Sequence, residues 1–223
     1  MRRTPDAARG IHPSHRGVTA AYPEAAMRPH APRNAAGFAA LLAALCCACA
    51  SRGSLDALSP EAVVIDVPVL QQTQEFECGF IALEILCRHH GVPLAPACAE
   101  ELRASAQRND GLTGAEIRGA LETSGYEAYV FAGTLDRTST GAYEHLDRGR
   151  PLIAMSSTED GHRHFEVLIG YDAPRDNLIL LDPVRGRVAR ARSVFESGWA
   201  RCGRFLLLAL PKAGRPAVLP PQP

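Results

Sequence analysis

The chain has no excess of charge. Its 24 Lys and Arg balance its 24 Asp and Glu over 223 residues, and aromatic residues make up only 6%. No basic stripe interleaves with those aromatics, so the electrostatic footprint of a nucleic-acid binder is missing. No fixed-period repeat runs along it, which sets aside a solenoid or propeller. It contains no Walker-type phosphate loop and no set of long apolar runs that would build a membrane bundle. The longest uncharged apolar run, Ala35 to Ala50, has 16 residues, against the roughly 20 that a membrane-spanning helix needs.

That run reads as the apolar part of an export signal. Met27 is the expected start, Arg28 and Arg33 supply the basic flank, and Ala48-Cys49-Ala50 matches a small-x-small cleavage site. Residues 1–34 are rich in Ala, Pro, Arg and His without a hydrophobic period, and read as disordered or untranslated. Two fates compete at the end of the run: cleavage after Ala50 and lipidation at Cys49. An uncleaved anchor is the third. The expected location is therefore periplasmic, or lipid-anchored at a bacterial membrane. Of the seven cysteines, Cys46, Cys47 and Cys49 lie in this run, leaving Cys78, Cys87, Cys98 and Cys202. In an oxidising compartment a Cys87–Cys98 bridge is expected, set against Cys87 as a small buried apolar residue.

Residues 51–61 form a linker, 62–211 one domain, and 212–223 a Pro-rich, disordered tail. In the domain, residues 62–70 read as a strand, with Pro68 at an edge or an end. Residues 78–90 read as a buried helix: Glu77, Glu84 and Arg88 share one narrow stripe, nearly every other position is apolar, and Gly91 closes it. Further helices are expected over 95–107, 114–124 after an N-cap at Thr113, 140–147 and 193–200. Strands are expected over 126–131, 151–155, 164–171, 177–181 and 204–210. Helices come first and strands mostly later, which predicts an α+β fold with an antiparallel sheet.

The stretch from Gln71 to Phe80 carries the chemistry. Cys78 opens the buried helix, where the helix dipole and unpaired N–H groups favour thiolate over thiol. Gly79 is read as removing a side chain where substrate approaches the backbone. The Cys78 N–H and an amide from Gln71, Gln72 or Gln74 can donate to a developing oxyanion. His164 and Asp182 are equidistant from residue 173, inside a predicted turn, so the spacing places them opposite each other on an antiparallel hairpin. The carboxylate would then orient the imidazole. His162 is the competing histidine. With His164 it forms a His-x-His pair, but no third or fourth metal ligand accompanies it. A thiol relay of this kind calls on no metal or cofactor.

Gln72 through Leu83 resembles the Gln-x(4)-Asp-Cys-Gly-x-x-x-Leu motif of the bacteriocin-processing, double-glycine leader cysteine peptidases, a papain-like family. The segments His164-Phe165-Glu166-Val167-Leu168 and Leu181-Asp182-Pro183 resemble that family's His and Asp motifs. Asp110-Gly111 with its following helix, and Phe195 with Trp199, also fit. The resemblance runs from about Val64 to Leu210. It implies a papain-like fold with the nucleophile on the buried helix, packed on the sheet. It also implies Cys78 as nucleophile, His164 as general base and acid, Asp182 as orienter and Gln72 as oxyanion donor, acting on a peptide or protein substrate. Glu77 departs from the family's Asp. The family domain is often fused to a peptide transporter, whereas this chain reads as a stand-alone, exported member with a separate transporter as its partner. The other functions such a fold allows are a papain-like acyl transferase and a non-catalytic leader-binding module.

Overall fold

The apolar run after Glu77 folds as its composition predicts. In this computed structural model, which describes residues 58–158 and 161–213, it forms helix α1, Cys78–His89. Eight of its residues are buried, and Glu84 and Arg88, paired at 2.7 Å, mark its polar stripe. Gly91, at φ 67°, takes the left-handed conformation that ends the helix. Helix α2 spans Pro96–Asn109 and helix α3 spans Gly114–Thr123. The expected cap of α3 is present. The Glu116 N–H donates to Thr113 Oγ1 at 3.2 Å, and the Thr113 N–H donates to Glu116 Oε2 at 2.8 Å, a capping box. The expected export signal, most of the expected linker and most of the expected tail lie outside the described residues.

Among the described residues, seven strands follow the expected class. They are β1 Val63–Val64, β2 Tyr126–Ala132, β3 Leu152–Ser157, β4 Arg163–Asp172, β5 Asn177–Asp182, β6 Gly186–Ala191 and β7 Phe205–Pro211. Every pairing among them is antiparallel, in the order β2-β7-β3-β4-β5-β6, with β1 joined to β4. Helices α4, Ala142–Asp147, and α5, Arg192–Arg201, complete the fold. No helix among the described residues is long and apolar enough to cross a membrane.

Two elements differ from expectation. The strand read over 62–70 shortens to two residues, Val63 and Val64, which pair with Tyr171 and Gly170 beyond the end of the β3–β4 ladder at Leu168. Pro68, without an N–H, could not extend the pairing. Conversely, β6 was hidden by its charged composition, Gly-Arg-Val-Ala-Arg-Ala.

Alternation along β4 assigns its two faces. A Cβ on Gly79 would meet Phe165 Cδ2 at 3.1 Å, so α1 packs on the Phe165 face. A Cβ on Gly198 would meet Ser156 Cβ at 3.5 Å, and Ser156 pairs with His164, so α5 covers the other face. Phe195 and Trp199 of α5 are buried with ring centroids 5.4 Å apart, the core role that their i, i+4 spacing implies.

Candidate active site

The chain approaches α1 through a single 3-10 turn, Glu75–Glu77. Glu77 holds it in place. Its Oε2 accepts from the Thr73 N–H at 2.8 Å, the Gln74 N–H at 2.9 Å and Thr73 Oγ1 at 3.0 Å. Partial burial opposes the charge, but these bonds and Arg103 hold the carboxyl below its usual range. The residue that departs from the family's Asp is thus the clamp of the loop. Gln72 lies in the same loop. Its amide Nε2 donates to the Gln74 carbonyl at 2.9 Å and the Glu75 carbonyl at 3.2 Å, and its Oε1 is buried without a partner. Gln71 instead reaches the Val184 carbonyl, at 3.4 Å.

Cys78 is the first residue of α1 and only 7% exposed. Burial alone would raise its thiol. Hydrogen bonds from His164, the Phe165 N–H and the Gly79 N–H, with the charge of His164, outweigh that and lower it. The Phe165 N–H is available because the ladder between β4 and β5 runs only as far as Val167 and Leu181. Gly79 has a different purpose from the one expected. The space its Cβ would fill is occupied by Phe165, Ile117 and Leu112 at 3.1–3.3 Å, so the glycine lets α1 close on β4 rather than admitting substrate.

His164 and Asp182 meet, with Nε2 and Oδ1 2.9 Å apart. The register that brings them together is not the one that the spacing predicts. The turn Ala173–Arg175 ends in a left-handed Asp176, and β4 is irregular between Leu168 and Gly170. Val167 therefore pairs with Leu181, which places Asp182 across from Glu166, with His164 as the diagonal neighbour on the same face. Asp182 Oδ1 also accepts from the Val184 N–H at 2.8 Å, so the carboxylate shapes the turn and holds the imidazole together. Burial opposes charge on both groups. Hydrogen bonding and mutual attraction with Asp182 and Cys78 nonetheless push His164 up to about 10, while His164 and the Val184 N–H pull Asp182 down. With Nε2 engaged by Asp182, Nδ1 is the nitrogen left for the sulfur. Each shift moves the site toward thiolate, imidazolium and carboxylate in a row.

Two residues of this neighbourhood escaped the sequence reading. Glu166, fully buried, accepts from Ser156 Oγ at 2.8 Å and from Arg190 Nη1 at 2.6 Å. Glu166 was legible only as part of the His motif, and Arg190 sits on the unforeseen β6. The potential ligand atoms of His164, Glu166 and Asp182 lie within 4.8 Å of one another, but the cation held against this group is the Arg190 guanidinium. The His162–His164 pair is not assembled: His162 precedes β4 and is exposed. The expected Cys87–Cys98 bridge is also absent, since both are free thiols. Cys87 is a core residue of α1, and burial pushes it up to about 12. An open cavity of about 740 Å³ is walled by His164, Asp182, Ser156, Arg190, Phe195 and Gly198, among others. It lies on the α5 side of the imidazole.

The model of the peptidase C39 family matches residues 66–212. The chain belongs to the peptidase C39 family. It is a cysteine peptidase, and its antiparallel sheet with helices is the papain-like fold of C39 domains. The resemblance drawn from the Gln72–Leu83, His164 and Asp182 segments is thereby borne out. This C39 peptidase is 26% identical, over 145 residues, to the lactococcin-G-processing and transport ATP-binding protein LagD of Lactococcus lactis. The match covers 65% of this chain but spans only 19% of that relative. Solved structures of similar fold include a double glycine motif protease from an AMS/PCAT transporter in complex with the leader peptide, with a TM-score of 0.51 at 21% identity, covering 67% of this chain and 94% of that one. Another is the peptidase domain of Streptococcus ComA, a bi-functional ABC transporter involved in a quorum sensing pathway. There the TM-score is 0.52 at 18% identity, covering 67% and 99% of the two chains.

Proposed function

We propose that this C39 peptidase cleaves a peptide bond through Cys78, His164 and Asp182, by way of a thioester, in the maturation of a leader-bearing peptide. The observation that carries the proposal is the continuous contact from the Cys78 sulfur to His164 and from His164 Nε2 to Asp182 at 2.9 Å. The Cys78 thiolate attacks the scissile carbonyl carbon, and His164 gives its Nδ1 proton to the departing amine as the C–N bond breaks. In the second half, His164 takes a proton from water, the hydroxyl adds to the thioester carbonyl, and the C–S bond breaks to return the thiolate. Asp182 keeps the ring oriented and supports its charge throughout. The Cys78 N–H and the Gln72 amide stabilise the oxyanion. In the free enzyme both amide hydrogens of Gln72 serve loop carbonyls, so donation exchanges the longer bond, 3.2 Å to Glu75.

The relatives support this substrate class: LagD is named for processing lactococcin G, and the AMS/PCAT protease was solved with a leader peptide. A separate peptide transporter is the proposed partner. The run Ala35 to Ala50, with Arg28 and Arg33 before it, supports an exported protein, either free after cleavage or lipid-anchored at Cys49. Mass spectrometry of the N-terminus of the mature protein tests this, and an intact Met1 or Met27 followed by the unmodified run overturns it.

The deciding experiment compares wild type with Cys78→Ala on synthetic peptides whose leaders end in Gly-Gly. Cleavage by the wild type and none by the variant is expected. Cleavage that survives in Cys78→Ala overturns the proposal, as does leader binding without cleavage by the wild type, which is the behaviour of a binding module. Transfer of the acyl group to an added amine in preference to water would make the protein an acyl transferase.

A further inference from the structure

Glu166 is wholly buried on the His164 face of β4. Its Oε1 takes Arg190 Nη1 at 2.6 Å and Ser156 Oγ at 2.8 Å. The other arm of the same guanidinium, Nη2, stands 3.8 Å from Asp182 Oδ2. Asp182 Oδ1 faces His164, which in turn bonds Cys78. Along this line the groups alternate in sign: thiolate, imidazolium, carboxylate, guanidinium, carboxylate.

The register places Glu166 and Asp182 across from each other on adjacent strands. Two carboxylates so placed repel each other unless a cation stands between them. A planar guanidinium, always charged and forked, suits that place. Arg185 is the other cation near Asp182. Its Nε lies 3.9 Å away, but its side chain is 71% exposed and screened by solvent. The Arg190 side chain is 19% exposed. The charged groups around Asp182 are therefore His164 and Glu166 of β4, Arg190 of β6 and Arg185 of the turn, while Cys78 of α1 reaches it through His164.

We propose that Arg190, anchored by Glu166, is a positioning residue of the reaction: it keeps Asp182 ionised and leaves Oδ1 turned to the imidazole. The inference rests on the reading of Cys78, His164 and Asp182 given above. Without Arg190 no cation separates Asp182 from the buried Glu166, Asp182 is a weaker counter-charge for His164, and the Cys78 thiolate forms only at higher pH.

The test is the rate of Cys78 alkylation by iodoacetamide as a function of pH on the full chain, with the modified residue mapped by mass spectrometry. Arg190→Met is expected to move the acid limb up by about one pH unit, a loss of about tenfold in rate on that limb. The double variant Arg190→Met/Glu166→Gln, which removes the second carboxylate as well, is expected to restore the limb. A merely structural role would lower the rate at all pH values without moving the limb. An Arg190→Met limb that superimposes on wild type overturns the proposal, and so does a double variant as displaced as the single one. If Arg190→Met does not fold, rescue of folding by Glu166→Gln supports the proposal and failure to rescue overturns it. A wild-type Cys78 that reacts no faster than Cys202 overturns the catalytic reading itself, whereas a fast wild type with an unmoved limb overturns only the role of Arg190.

Discussion

Replacing Gly79 by alanine tests how α1 and β4 are brought together. The added Cβ would stand 3.1 Å from Phe165 Cδ2, 3.2 Å from Ile117 Cδ1 and 3.3 Å from Leu112 Cβ, where ordinary contact begins at 3.4 Å. The helix must therefore back away from the sheet by about 0.3 Å, or Phe165 must yield by as much. Overpacking of this kind costs about 1–3 kcal/mol, while alanine in place of glycine regains at most about 1 kcal/mol of helix propensity. A net loss of about 0–3 kcal/mol follows, which is a fall in Tm of no more than about 12 °C for a domain of this size. The sulfur moves with the helix, away from His164 and the Phe165 N–H. A misplacement of about 1 Å can cost about a hundredfold in rate, so 0.3 Å scales to roughly fourfold. The assay pairs thermal unfolding by circular dichroism with the rate of Cys78 alkylation at pH about 6, where only a lowered thiol reacts well. A variant with wild-type Tm and wild-type Cys78 reactivity would refute the argument, because Phe165 would then be free to yield and the glycine would have no part in setting the contact.

Four further outcomes are expected. Asp182→Asn should lower peptide cleavage by about 10²–10⁴-fold and bring the alkaline limb of the pH–rate profile down from near 10, where His164 stands, toward neutrality; unmoved limbs would count against the pairing. The stability lost in the same variant, measured by urea unfolding, should be greatest between pH 3.8 and 6.5. The raised His164 contributes fully below 6.5 and fades as pH rises toward about 10, and the lowered Asp182 contributes above 3.8 and fades as pH falls through its depressed value. Gln72→Ala should cut peptide cleavage by about 10²–10³-fold while leaving alkylation within about threefold, since alkylation forms no oxyanion; equal losses in both would reduce Gln72 to a loop residue. Glu77→Ala should cost about 0.5–2 kcal/mol in urea unfolding, the range for a lost helix cap, and Glu77→Gln less, because one acceptor oxygen remains; no change in either would mean that the Thr73 and Gln74 N–H groups are as well served by water.

Local signals were legible wherever one segment contains its own reason. The apolar circumference of α1 demands burial, Thr113 and Glu116 cap α3 within four residues, and Phe195 and Trp199 fall on one helical face. The family-specific spacing of Gln72, Cys78, His164 and Asp182 was equally readable. What involved two segments was less so. The hairpin spacing predicts His164 and Asp182 on one face, where they are, yet directly opposite, because neither the left-handed Asp176 nor the irregularity near Ile169 announces itself in residue types. The apolar pattern over 62–70 predicts nine strand residues, whereas only Val63 and Val64 pair with β4.

The sequence by itself determined the class of fold and the chemical groups available: a thiol at a helix start, an imidazole, a carboxylate and an amide. Those follow from periodicity and residue type, which act over a few neighbours. Only the tertiary structure decided which groups touch. It turned Gly79 from a substrate opening into the contact that seats α1 on Phe165, and left Cys87 and Cys98 as separate thiols. It also brought Arg190, from a strand whose composition hid it, between Glu166 and Asp182. Packing and charge pairing are set by strand register and helix placement, and those are properties of the whole chain at once.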